Sequence, residues 1–158
     1  MQKFETPDAL RQVAEFHHTF QHPVLPQPQL PAPERSALRV SLLAEELKEL
    51  EAAIADNDLT EVADALCDLQ YVLAGAVLEF GLGERFKSLF EEVQRSNMSK
   101  ACESEEEAKA TVAHYEGQGT PCHFEEKEGK FLVYRTADRK TLKSVNYSPA
   151  ALKPLINP

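Results

Sequence analysis

Apolar residues recur every three or four positions through most of the first hundred residues, which is the period of an amphipathic helix. The pattern over residues 7–20 predicts a first helix that begins after Thr6-Pro7. Residues 22–33 carry five prolines, which forbid a helix and favour an extended crossing. From Pro33 the helical period resumes and predicts a second helix that runs to about Ala55.

The third helix has clear start and stop signals. Asp58 is placed to cap its first turn, with Glu61 at the third helical position as in a capping box. The apolar period continues to about Phe80, where Gly81 and Gly83 predict its end.

Two further helices and a hairpin complete the predicted fold. A fourth helix is expected from Glu84 to between Arg95 and Lys100, and a fifth after Ser104, ending at residues 117–119. Residues 122–125 and 131–135, joined through Glu128-Gly129-Lys130, predict a β-hairpin. We therefore expect an all-α bundle of four to five helices with a small C-terminal hairpin, divided into a helical domain, 1–119, and an appendage, 120–158.

Composition narrows the classes of function. The 158 residues carry a formal net charge of −9, which argues against binding nucleic acid, since that mode needs clustered Lys and Arg. No run of about 18 apolar residues indicates a membrane span. The three cysteines are widely spaced and form neither a disulfide framework nor a zinc motif, so a reducing, cytoplasmic location is expected.

Acidic residues interrupt the apolar stripes of the second and third helices. Glu46 and Glu49 lie about 60° apart on a stripe that otherwise holds Leu42, Leu50 and Ala53. On the third helix, Glu61, Asp64 and Asp68 share a stripe that continues into Tyr71, Val72 and Gly75. A connection of only a few residues predicts that the two helices pack antiparallel, so that these carboxylates converge and face inward.

Converging buried carboxylates need raised pKa values or a cation. Lys and Arg are missing from these stripes apart from Arg39, so a hard divalent ion with oxygen ligands, Mg²⁺ or else Mn²⁺, is the predicted partner. Two alternatives stay open, namely an ordinary solvated acidic face and a di-iron bundle. The di-iron bundle uses Glu-x-x-His on two helices, and neither Glu46 nor Glu49 is followed by such a His.

These acidic residues resemble the motif of the MazG-like all-α nucleoside triphosphate pyrophosphohydrolases, which include dimeric dUTPases and phosphoribosyl-ATP pyrophosphohydrolases. The pattern Glu-Glu-x-x-Glu, a spacer and Glu-x-x-Asp is matched residue for residue by Glu45, Glu46, Glu49, Glu61 and Asp64. Residues 16–20 and 95–100 also resemble segments of the family, so the resemblance covers about residues 10–100.

The resemblance implies hydrolysis of a nucleoside triphosphate between the α and β phosphates, giving a monophosphate and pyrophosphate. It implies that Glu46, Glu49, Glu61 and Asp64 hold Mg²⁺, and that Glu45 or Glu46 deprotonates the attacking water. It assigns substrate binding to Asn97, Lys100, Phe16, His17 and Phe20, where Asn97 can read a base edge and Lys100 can meet phosphate.

We therefore expect a Mg²⁺-dependent nucleoside triphosphate diphosphatase that clears the nucleotide pool, with deoxyuridine triphosphate as the preferred substrate. Phosphoribosyl-ATP is the alternative substrate, and a non-enzymatic, metal-binding helical dimer is the alternative of a different class. Self-association as a homodimer or higher homo-oligomer is expected because so few helices leave apolar surface to cover.

Overall fold

A computed structural model describes residues 3–157, so residues 1, 2 and 158, at the outer ends of the two predicted domains, lie outside it. Within the described part the chain forms six helices and one antiparallel hairpin, which confirms the predicted fold class. In chain order these are α1 (Ala9–Thr19), α2 (Pro33–Ala55), α3 (Leu59–Glu79), α4 (Phe86–Met98), α5 (Glu105–Glu116), β1 (Cys122–Lys127), β2 (Lys130–Arg135) and α6 (Lys153–Ile156).

The chain divides into two compact units, one that runs to Phe86 and one that begins at Lys87. This boundary differs from the expected one after residue 119. The physical reason is that α5 packs on the hairpin, because buried Ala108 on α5 shares a core with Cys122 and Val133 on the strands. A boundary after residue 119 would cut through that core.

In the first unit, α2 and α3 form the expected antiparallel hairpin of helices. Asp58 caps α3 by accepting hydrogen bonds from the backbone N–H groups of Thr60, at 2.9 Å, and Glu61, at 3.2 Å. The second half of the expected capping box is missing, since the N–H of Asp58 bonds instead to the carbonyl of Ala53, at 3.0 Å. The Glu61 carboxylate is therefore not used by the cap.

The core contact of α1 is with the C-terminal half of α3, where Val13 packs with Ala74 and Leu78. The proline-rich segment crosses the end of α3 through backbone bonds from Leu25 to Leu78 and from Gln29 to Phe80. Gly81 permits this crossing, because its φ is +67° and a Cβ there would lie 1.9 Å from the carbonyl oxygen of Gln27.

In the second unit, Ser104 caps α5 as expected, accepting from the N–H of Glu107 at 3.2 Å. Glu128 and Gly129 connect the strands with φ values of 52° and 75°, as a two-residue hairpin turn requires. The tail adds α6, a single turn that the apolar pattern is too short to predict.

No single helix among residues 3–157 is long and apolar enough to cross a membrane. Only α3 and the segment Gly83–Met98, taken together across the break between them, reach the required length and composition.

Candidate active site

Side chains pair along the antiparallel α2–α3 hairpin in a regular order. Near the open end, Arg35 on α2 forms an ion pair with Glu79 on α3. One turn further along, the Arg39 guanidinium lies against Gly75. Helical geometry continues this register, so the acidic turns of α2 and α3 lie opposite each other toward the connection.

At the connected end, carboxylates from both helices line one open pocket of about 270 Å³. Glu49 from α2 and Glu61 from α3 contribute to it, together with Asp56 and Asp58 from the turn. Because Glu61 is free of the capping bond, its carboxylate is available to a ligand in this pocket. Each acidic motif therefore contributes one carboxylate to this pocket, whereas Glu46 and Asp64 are not among its lining residues. Convergence of all four predicted metal ligands stays a prediction.

The carboxylates are more exposed than expected. Glu46 is half-buried, whereas Glu45, Glu49, Glu61 and Asp64 are exposed. The expectation that all four predicted metal ligands face inward is therefore wrong for three of them. The core contact of α1 lies further along α3, at Ala74 and Leu78, and Glu61 and Asp64 are exposed within the described chain.

Glu46 is the electrostatic centre of the group. Its pKa is raised, first by burial and then by the negative charges of Glu49, Asp68, Glu45 and Asp64. These neighbours come from both helices, and no Lys or Arg is among the groups that shift its pKa. A carboxylate in this setting gains a cation favourably, because a cation would relieve both like-charge repulsion and loss of hydration.

The donor set fits Mg²⁺ or Mn²⁺, since it consists of carboxylate oxygens. Among residues 3–157 no three His, Cys, Asp or Glu side chains are already arranged to hold an ion. Mg²⁺ commonly keeps several waters and takes one or two carboxylates together with substrate phosphates. The four predicted metal ligands, Glu46, Glu49, Glu61 and Asp64, therefore form no closed cage, and their carboxylates fit the open coordination that Mg²⁺ takes with a phosphate substrate.

An aromatic and cationic cavity of about 210 Å³ lies in the same unit, between α1, α2 and α3. Phe16 and His17, two predicted substrate residues, line it, whereas Phe20 does not. Phe20 instead packs on the ring of Phe16, with centroids 4.4 Å apart, and is itself 60% exposed. The cavity is also lined by four polar or aromatic residues that the sequence analysis did not assign to it, namely His22, Arg35, Arg39 and Tyr71.

A buried ion network stands beside this cavity. Glu79 is fully buried and accepts hydrogen bonds from Arg39, at 2.5 Å, and from Arg35. Burial alone would raise the pKa of Glu79, but the bonds from Arg39 and Arg35 lower it overall. The sequence shows only that Arg35 and Arg39 lie one turn apart on α2. No local pattern in the sequence identifies Glu79 as their partner, because Glu79 is distant along the chain.

His17 is held in one tautomer by this network. Arg39 donates to Nε2 of His17 at 3.2 Å, and Nδ1 of His17 therefore donates to the carbonyl of Pro23 at 2.8 Å. Burial lowers the pKa of His17, so the ring is neutral at pH 7. The Nε atom of Arg39 is left without a partner among the described residues.

Asn97 and Lys100 belong to the second unit. The Lys100 ammonium donates to the side-chain oxygen of Asn97 at 2.8 Å, so the structure brings these two predicted substrate residues together.

An antiparallel helical hairpin that carries the paired motifs Glu-Glu-x-x-Glu and Glu-x-x-Asp defines the class as the MazG-like all-α pyrophosphohydrolases. Within that class the chain belongs to the phosphoribosyl-ATP pyrophosphohydrolase family, whose sequence profile matches residues 13–97, more than half of the chain. The resemblance seen in the sequence is thereby confirmed. The matched residues include both acidic motifs, Phe16, His17, Phe20 and Asn97, but not Lys100.

A viral protein is similar to part of the chain. The uncharacterized protein L479 of Acanthamoeba polyphaga mimivirus is 34% identical over 92 residues. The aligned region is 56% of this chain and 37% of the viral protein, so the chain spans little more than a third of that relative.

Proposed function

We propose that this protein is a Mg²⁺-dependent pyrophosphohydrolase that cleaves a nucleotide between its α and β phosphates. The observation that carries the proposal is the position of Glu46. Negative charges from both α2 and α3 raise its pKa, and none of the causes of that shift within residues 3–157 is a Lys or an Arg. Family membership supplies the reaction class, since the matched family is described as a phosphoribosyl-ATP pyrophosphohydrolase.

Glu46, Glu49, Glu61 and Asp64 would hold the ion, which when bound neutralises phosphate charge and lowers the pKa of water. Glu45 or Glu46 would then accept the proton of the attacking water. Most of the catalytic effect would come from positioning and electrostatics.

Substrate recognition is assigned to the aromatic cavity and to α4. Phe16 and His17 line the cavity and suit a nucleobase, with Phe20 supporting the Phe16 ring from outside. Asn97 is proposed to read a base edge and Lys100 to meet phosphate.

Two substrates stand as candidates. Deoxyuridine triphosphate is our first choice, because an asparagine that reads the base edge and a cavity wall of phenylalanine suit a pyrimidine. Hydrolysis of deoxyuridine triphosphate would clean the nucleotide pool. Phosphoribosyl-ATP is the second candidate, and the description of the matched family favours it.

We also propose that the protein acts as a homodimer or higher homo-oligomer. Exposed apolar residues repeat every seven positions on both helices of the hairpin, and a seven-residue repeat is the spacing of a helix-packing seam. The residues are Val40, Leu47 and Ile54 on α2, and Leu59, Leu66 and Leu73 on α3. Both stripes are exposed apolar surface that a second copy would cover. The α3 stripe lies beside the start of α1, since Leu66 lines a pocket together with Ala9 and Gln12.

The competing function is a helical dimer that binds a metal without catalysis. It shares the acidic group and the stripes, so only an activity assay separates the two.

The test is pyrophosphate release with Mg²⁺ by Glu46→Gln and Asp64→Asn, compared with Glu51→Gln. Glu51 is an exposed acid on the outer face of α2 and serves as a matched control. We expect at least a hundredfold loss for the first two variants, unchanged activity for the third, and wild-type far-UV circular dichroism for all three. Retained activity in Glu46→Gln and Asp64→Asn would overturn the assigned site.

A further inference from the structure

The C-terminal segment 143–151 is bound along α4 of the second unit. Arg95 donates to the Ser148 hydroxyl at 3.0 Å and to the Pro149 carbonyl at 3.1 Å. The hydroxyl groups of Ser96 and Tyr147 form a hydrogen bond of 2.9 Å, and the N–H of Ser148 donates to the Ser99 hydroxyl at 3.0 Å. Arg95, Ser96 and Ser99, which belong to the segment 95–100, therefore fix the tail.

A second acid on α4 strengthens this attachment. Glu92 accepts hydrogen bonds from the Arg95 guanidinium and from the backbone N–H of Ala151, at 2.8 Å, and these two contacts lower the pKa of Glu92 to about 2. Glu92 is thus charged at any working pH.

The start of the tail is held from below by α5. Ser144 is buried and donates to the Glu107 carboxylate, and the N–H of Val145 donates to the Thr111 hydroxyl at 3.1 Å. The N–H of Ser144 also donates to the carbonyl of Lys100 at 3.2 Å. The turn therefore presents Lys143 in a fixed place, next to the backbone of Lys100.

An open cavity of about 410 Å³ lies over this turn. Within residues 3–157 its walls contain a lysine, two tyrosines and a histidine, and no carboxylate, in a chain with 26 acidic residues. The lining residues are His114, Tyr115, Lys143, Ser144, Val145 and Tyr147.

Lys143 supplies the charge of this cavity. Its ammonium lies 4.4 Å from the centre of the Tyr147 ring, which orients it without neutralising it. Lys143 makes no ion pair with any carboxylate in residues 3–157. Tyr115 accepts from the N–H of Lys143 at 3.2 Å, and the His114 ring packs edge-on against Tyr115 at 5.2 Å. The Lys143 ammonium thus lies over the Tyr147 ring, in the same cavity as the His114 and Tyr115 rings.

We propose that this cavity, called here the tail pocket, binds a nucleoside phosphate, with Lys143 at the phosphate and His114 and Tyr115 against the base. Phosphate is the anion that a lysine point charge commonly binds, and aromatic faces stack on any base. The tail pocket is built within the second unit alone, and its binding does not depend on hydrolysis at the acidic motifs.

The experiment is a titration of the full chain with adenosine monophosphate in EDTA, followed by amide chemical shifts. A monophosphate in EDTA is not turned over, so a failed hydrolase proposal and a failed tail pocket are separate results. We expect adenosine monophosphate to change the amide chemical shifts of residues 143–147 and of Tyr115. Adenosine and inorganic phosphate should each bind more weakly, since adenosine lacks the phosphate and inorganic phosphate lacks the base.

The variants are Lys143→Ala, with Lys143→Arg as the conservative replacement and Lys140→Ala as the matched exposed control. Lys143→Ala should weaken binding at least tenfold, while Lys143→Arg and Lys140→Ala stay within about threefold of wild type. The proposal is overturned if the tail-pocket signals do not move, if adenosine or phosphate alone binds as well, or if Lys143→Ala and Lys140→Ala behave alike.

Discussion

At the residue scale, two carboxylates on the same hairpin have opposite surroundings. Glu79 has two guanidinium partners and a lowered pKa, whereas Glu46 has carboxylate neighbours and a raised one. The sequence predicted the position of Glu46, because its acidic neighbours follow from helical spacing. It did not predict the ion pair between Glu79 and Arg39, because the two residues are forty positions apart in the sequence. The exposure of Glu49 was also missed, because it depends on which further elements cover the hairpin.

Replacing Glu46 should separate stability from function. The raised pKa of Glu46 means that the folded state favours the protonated carboxyl group. The stability that this group contributes is therefore present below its ordinary pKa of 4.5 and is lost as the pH rises through the raised pKa. In EDTA at pH 7, Glu46→Gln should therefore be more stable than wild type, by ~0.5 kcal/mol, a typical size for like-charge repulsion. Thermal unfolding checks this, and a lower melting temperature for the variant would contradict it.

Replacing Glu79 should have the reverse effect. Glu79→Gln leaves Arg35 and Arg39 with an uncompensated charge and should cost about 3–5 kcal/mol in urea unfolding, against little change for Glu51→Gln. The pKa of Glu79 is lowered, so its carboxylate contributes stability above the ordinary pKa of 4.5. This stability is lost as the pH falls below about 4.5 and through the lowered pKa. Equal losses in the two variants would refute this role.

At the element scale, local signals accounted for most of the fold. The Asp58 and Ser104 caps lie where the sequence predicted them. The hairpin turn falls within the predicted connection 128–130 but is one residue shorter, because Lys130 already belongs to β2. The tail helix α6 and the packing of α5 on the strands were not predicted, because both depend on contacts distant in sequence. The same limit applies to Gly75, whose role appears only when Arg39 is seen against it.

Gly75→Ala tests the contact between α2 and α3. Helix propensity alone would favour alanine by ~1 kcal/mol. The new Cβ, however, would lie 2.7 Å from a guanidinium nitrogen of Arg39 and 3.1 Å from Nε2 of His17. We expect a net loss of about 1–3 kcal/mol in chemical denaturation, the usual cost of overpacking. A stabilised variant would show that the buried network adjusts freely.

At the scale of the whole molecule, the family match and the structure divide the chain differently. The match ends at residue 97, inside α4, so it takes in the first unit and only the start of the second. The first unit carries both acidic motifs and the apolar stripes, and the second carries the tail pocket.

The stripes predict the state of association. Leu66→Glu places a charge in the middle of the α3 stripe, where a second copy is proposed to pack, and should convert the oligomer to a monomer in sedimentation velocity. Leu30→Glu is the control, because Leu30 is 84% exposed and lies in the proline-rich segment outside the stripes. A monomeric wild type, or the same sedimentation for both variants, would rule out this interface.

The most direct test of the central claim is to measure pyrophosphate released by the wild-type protein in Mg²⁺. The substrates should include the common ribo- and deoxyribonucleoside triphosphates together with phosphoribosyl-ATP. The account predicts that at least one of them yields pyrophosphate and the matching monophosphate in equal amounts, and that EDTA stops the reaction. Release of orthophosphate instead, or no product from any substrate, would contradict it.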